Sequence, residues 1–313
     1  MKTRPLPLCS FALFAFLFAG AMRACASGPA FEARPPVDSP EEARFVTEDI
    51  ARFWAAYDEG AHKPGTALEE ALQRRYLDRG TPGVVGFTPH RIESAENLAR
   101  VVRARHADYE AARERSMRVG EQGPAIRAAL REFERMYPDA VFPDVYFVIG
   151  AMNSGGTSTP SGLIIGMEMD VNRPEKIAAL VAHEAVHYQQ AYSGARRLLE
   201  QCMIEGSADF VALLVTRDNI NAEALAYARE HERELWEEFR PMLESEQYGT
   251  WLYVRDPDRL DGRPPDLGYA MGCLIAEAYY EQASDKEGAL RDIVRCENPR
   301  AIFEKSGYAM KFE

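Results

Sequence analysis

Apolar side chains recur at three- and four-residue steps over most of this 313-residue chain, and only a short middle stretch breaks that rhythm. Ser39 followed by Pro40, Glu41 and Glu42 reads as an N-cap, a first-turn proline and an acidic first turn. Val46, Ile50, Phe53 and Tyr57 then repeat at helical spacing until Gly60 stops the run. The segments Glu93 to Arg118 and Pro124 to Met136 are rich in Ala, Arg and charge with thin apolar stripes, and predict a helical platform. Val145–Ile149 and Leu163–Ile165 are β-branched runs that predict strands. Between them, Asn153-Ser154-Gly155-Gly156-Thr157 lacks the lysine of a phosphate-binding loop and opens no helix, so it reads as a long hairpin connection. Beyond Pro174 helices are expected near 174–192, 199–216, 221–243, 268–284 and 299–306. The fold class is therefore α+β, mostly helical, with a small sheet ahead of a central helix. One domain is expected over residues 39–313, with a helical part at 39–140 and the chemistry in 141–313.

The first 26 residues read as an address. Lys2 and Arg4 precede an apolar run from Leu8 to Met22, and Ala24-Cys25-Ala26 supplies small residues for cleavage after Ala26. This predicts a signal peptide and export to the periplasm or beyond. An uncleaved anchor helix is disfavoured by the shortness of the run, and a lipid anchor on Cys25 by Arg23 close beside it. Residues 27–38 read as a flexible leader.

Composition narrows the function. Lys plus Arg number 37 against 49 Asp plus Glu, a formal charge of −12, which argues against nucleic acid or an anionic membrane surface as a partner. After residue 26 no apolar stretch approaches a membrane span. Of the five cysteines, Cys202, Cys273 and Cys296 follow the leader; one disulfide plus a free thiol and three buried thiols are both open readings. No CxxC spacing suggests a thiolate metal site.

Chemistry concentrates after the apolar approach Ile177–Ala182, in His183-Glu184-Ala185-Val186-His187. On a helix, residues four apart share a face, so His183 and His187 can present their imidazoles to one ion. Glu184 lies about 100° round the helix, beside such an ion without binding it, where a general base belongs. A catalytic zinc needs a third protein ligand, and Ser193 stands where a metzincin would carry its third histidine. Glu205, 18 positions after His187, is the candidate on the next helix. Gly206 is expected to let that helix pack closely on the first, and Asp209 to accept the free N–H of a ligating imidazole. The competing structural reading is a hydrogen-bonded cluster or a metal kept for stability; a structural zinc, however, has four protein ligands, whereas three plus a spare glutamate is the catalytic arrangement.

HExxH followed by a glutamate at this spacing resembles the gluzincin metallopeptidases. Together with the Asn153–Gly156 loop, Leu163–Gly166, Val181–Gln190, Glu205–Ala208 and Leu267–Gly272, the chain resembles a bacterial family of predicted zinc-dependent proteases related to gliding-motility lipoproteins, over roughly residues 45–308. The resemblance implies a zincin-like domain holding one Zn2+ per chain, with His183, His187 and Glu205 as ligands, Glu184 as base and Asp209 behind a histidine. A peptide or protein is then the substrate. Such enzymes also need an oxyanion donor: Tyr269 is the candidate, with Tyr253 the alternative. His231 is set aside among Arg229, Glu230 and Glu232, and Glu168 only faintly matches an exopeptidase motif. Leu163–Met167 is expected to be an edge strand that aligns an extended peptide. The rival reading is a non-catalytic periplasmic assembly protein that keeps the fold, and His-His-Glu also suits other divalent metals.

Overall fold

Strands that are apolar on both faces need both faces covered, and that requirement organises the protein. In the computed structural model, which describes residues 33–313 apart from 170–172, 193, 195 and 255, β2 (Val145–Val148) and β4 (Gly162–Gly166) are wholly buried. They pair in parallel, Tyr146 opposite Ile164. β1 (Phe45–Val46) adds in parallel to β2, and β3 (Gly156–Thr159) adds antiparallel to β4, giving the order β1-β2-β4-β3. The remainder of the described chain is mainly helical, so the architecture is α+β with one small mixed sheet.

Ahead of the sheet come α1 (Glu48–Gly60), α2 (Ala67–Arg75), α3 (Pro82–Phe87), α4 (Ala95–Ala104), α5 (His106–Met117) and α6 (Gly123–Met136). Phe53 lies at the centre of an aromatic cluster with Trp54, Tyr76 and Tyr109. Two of those phenols reach the sheet's exit: Tyr76 donates to the Ile149 carbonyl and Tyr109 to that of Gly150, both at 2.7 Å. Behind the sheet come α7 (Ile177–Gln189), α8 (Leu198–Thr216), α9 (Ala222–Glu230), α10 (Glu232–Phe239), α11 (Leu267–Gln282), α12 (Lys286–Arg295) and α13 (Pro299–Lys305). No helix among the described residues is long and apolar enough to cross a membrane.

Five expectations need correction. Ser39 does cap, accepting from the Glu41 amide, but the turn lasts only three residues; Phe45 and Val46 pair with Val145 and Tyr146 before α1 begins, because sheet pairing overrides a local helical pattern. The connection after Asn153 contains a strand, β3. That makes β3 the edge and leaves Leu163–Met167 beginning in an interior strand, hydrogen-bonded on both sides. The stretch 221–243 breaks into α9 and α10 at His231. The signal peptide, Cys25 and most of the leader lie outside the described residues. Within the leader, Arg34 ion-pairs with buried Asp144 at 2.6 Å and Val37 bridges Phe142 through both backbone bonds, so this part is docked. Cys202, Cys273 and Cys296 are all buried free thiols.

Candidate metal centre

The helix α7 is apolar nearly all round, as a helix enclosed by sheet and helices must be. His183 and His187 leave it on one face, and their Nε2 atoms converge to 2.9 Å. Glu205, from α8, brings Oε2 to 3.2 Å from the His187 Nε2 and 3.6 Å from that of His183. A tetrahedral ion with ligands at about 2.0–2.2 Å has donor separations near about 3.3 Å, which these three distances bracket.

The far sides of the ligands are held. The Nδ1 of His183 lies 2.8 Å from Asp209 Oδ1, and Asp209 Oδ2 accepts from Asn221 at 2.9 Å. A carboxylate accepts only, so Nδ1 carries the hydrogen and Nε2 is left with its lone pair. The Nδ1 of His187 lies 2.8 Å from Gln190 Oε1. The Gln190 amide orientation is decided by its other end, whose Nε2 donates to the Ile204 carbonyl at 2.8 Å, so His187 has the same tautomer. Two lone pairs and a carboxylate oxygen thus face one point, an arrangement that could hold a cation. Without one, the proton takes that place. Burial opposes charge on His183, yet the Asp209 and Glu205 carboxylates lift it to about 10, while the histidines draw Glu205 well below the ordinary carboxylate range against its burial.

Glu184 contributes no donor to this triad. It is buried, and burial pushes its carboxyl upward. Its Oε1 lies against β3: a Cβ on Gly156 would stand 2.5 Å from it, so a side chain there would displace the carboxylate. Both candidate tyrosines are here. Tyr269 stacks on the His183 ring at 6.2 Å and 20°. Tyr253 donates to Glu205 Oε1 at 2.7 Å while accepting from Gln201 at 2.8 Å. Tyr253 adopts φ +61°, a left-handed strain held by its amide's 2.7 Å bond to Asp266. Tyr253 is therefore committed to the glutamate, and burial keeps the Tyr269 phenol protonated as a donor.

Gln190, Asn221, Gln201 and Gly156 were not assigned roles from the sequence. Only Gln190, one turn beyond His187, carried a readable signal. Gly206 faces α11, not α7: a Cβ there would stand 2.2 Å from the Gly272 carbonyl carbon. His231 pairs with Glu234 on the surface. A surface cavity of about 700 Å³, in which Arg229 pairs with Glu277 and Lys311 with Glu232, shares no residue with the centre.

Glu168 has no place in substrate contact. It is 1% exposed, packed against Gly150 and Gly166 with Oε2 unpartnered, and burial lifts it to about 7. The folded protein therefore keeps a proton that the unfolded chain releases from about pH 4.5, and stability falls as pH rises from there to about 7. Glu168→Gln is expected to remove that loss, gaining about 2–3 kcal/mol over wild type at pH 8 and little at pH 4 in urea unfolding. Equal pH dependence in the two proteins would refute the buried neutral carboxyl.

No protein-family model, curated protein or solved structure matches the chain, so the reading of this centre rests on its own geometry.

Proposed function

We propose that the protein is an exported zinc-dependent metallohydrolase of gluzincin type and zincin-like fold that cleaves peptide bonds. The observation that carries this reading is the convergence of His183 Nε2, His187 Nε2 and Glu205 Oε2 within 3.6 Å, with a fourth acid, Glu184, beside them. Zn2+ held there would supply Lewis acidity toward a scissile carbonyl and toward water. Asp209 and Gln190 keep the two imidazoles in the ligating tautomer, and Tyr253 with Gln201 holds the outer oxygen of Glu205. Glu184, raised by burial, accepts the proton of the attacking water and returns it to the leaving amine. Tyr269 donates to the oxygen that gains charge. The edge strand β3, adjoining Glu184 through Gly156, offers backbone groups for pairing with an extended peptide.

Metal analysis of the purified protein tests the centre directly. Glu205→Ala is expected to hold one equivalent of zinc fewer than wild type, or to bind it at least ten-fold more weakly. Equal zinc content and affinity in the two proteins would remove Glu205 from the ligand set and favour the assembly-protein reading.

A further inference from the structure

A second group of metal-ligating side chains stands in the helical part ahead of the sheet. His106 opens α5, and Glu110, four residues on, shares its face. His62 comes from the turn between α1 and α2, and the candidate ligand atoms of all three lie within 4.8 Å of one another. The two imidazole centroids are 5.5 Å apart. Two imidazoles on one tetrahedral ion place their centroids about 5 Å apart, so the spacing already suits shared ligation.

The scaffold beneath is rigid while the ligands are not. The α1–α2 turn is sharp because Gly60 packs on the Leu68 backbone, where a Cβ would approach to 2.4 Å. Arg103 donates to the Gly65 carbonyl at 2.7 Å, tying the turn to α4. Arg113 grips Asp58 through two bonds of 2.7 and 2.6 Å, fastening α5 to α1. His62 and Glu110 are exposed, so closing the remaining gap takes side-chain rotation alone.

A further observation points into the cluster. Tyr57 is wholly buried, and its hydroxyl has only the Glu110 carboxylate to turn to. Its ring lies 6.3 Å from that of His62 and 5.8 Å from that of His106, and the Glu110 carboxylate is close enough to hold the phenol in its protonated form, adding to the effect of burial. A buried phenol left without an acceptor would cost free energy, so this contact ties Glu110 to the cluster.

We propose that His62, His106 and Glu110 form a second divalent-cation site, with the Tyr57 hydroxyl donating to the Glu110 oxygen turned away from the ion. Two imidazoles and one carboxylate select a borderline ion of the zinc class over calcium or magnesium. Three ligands at an exposed position leave the remaining coordination to water, so the metal is exchangeable. Its effect is to clamp the α1–α2 turn to α5.

The test is calorimetric titration of the chelator-stripped full chain with ZnCl2, with melting followed in parallel. Wild type is expected to bind two equivalents, His62→Ala/His106→Ala one, and His183→Ala/His187→Ala one. Stripped His62→Ala/His106→Ala should melt close to stripped wild type, because neither replaced ring is buried, and should lose the part of the zinc-induced melting gain that this site provides. Glu110→Gln should weaken the same equivalent with the histidines intact. If His62→Ala/His106→Ala binds as much zinc as wild type with the same gain, the proposal is overturned, whatever becomes of the other centre. If wild type binds one equivalent that only His62→Ala/His106→Ala loses, this site stands and the proposed catalytic centre falls.

Discussion

Gly272→Ala is expected to lower stability by about 3 kcal/mol or more, because it places a methyl group where α8 and α11 touch backbone to backbone. A Cβ at Gly272 would lie 1.8 Å from the Cys202 carbonyl oxygen and 3.1 Å from the Gly206 Cα. Neither neighbour is a flexible side chain, so no rotamer change relieves the clash and the helices must separate. Gly268, one turn earlier, is also tightly packed, but against the side chains of Leu252 and Cys202. In a chain of this size the loss corresponds to a drop in Tm of about 5 °C. The consequence reaches the metal centre. Glu205 and Asp209 ride on α8 and Tyr269 on α11, so parting the helices shifts Glu205 from the histidines and would weaken the proposed zinc binding in the molecules that still fold. A variant that melts with wild type would show that these helices do not meet through their backbones.

Glu184→Gln should keep the zinc of the His183–His187–Glu205 centre and lose turnover by about 10³-fold, within the range ascribed to a positioned acid–base group. The amide matches the carboxylate in size and fits the same space under Gly156, so packing and metal content are expected to stay. What disappears is the capacity to take a proton from water and pass it on. The comparison is made on any peptide or protein that wild type cleaves, with zinc content measured on the same samples. An undiminished rate would remove Glu184 from the mechanism, and a loss of zinc would make it a ligand. Both outcomes differ from that of Glu205→Ala, in which zinc is lost first and activity follows.

The part of the centre that was legible in the sequence is the part built on one helix. His183, Glu184 and His187 take their mutual positions from helical geometry alone. Asp209 and Glu205, one turn apart on the next helix, share a face for the same reason, and the structure brings both to the histidines. Tyr253 was weighed only as an oxyanion donor. Its bond to Glu205 depends on a left-handed backbone and on Asp266, 13 residues away, and neither has a local signature. Gly156 looked like loop glycine because its reason for being glycine is a carboxylate 28 positions along the chain.

Local pattern by itself determined the mostly helical α+β class, the two buried strands, the extents of α8 and α11 to within a residue or two, and the face of α7 that His183 and His187 share. Each of these follows from periodicity or from contacts a few residues apart. Tertiary structure alone decided the short β1 in place of a longer first helix, the identity of β3 as the edge, the tautomer lock through Gln190 and Asn221, and the choice of α11 as the partner of Gly206. It also brought His62 to His106 and Glu110, 44 and 48 residues away in the chain. These features depend on which surfaces meet after collapse. Burial and backbone pairing between distant segments then outweigh the propensities of the segments themselves.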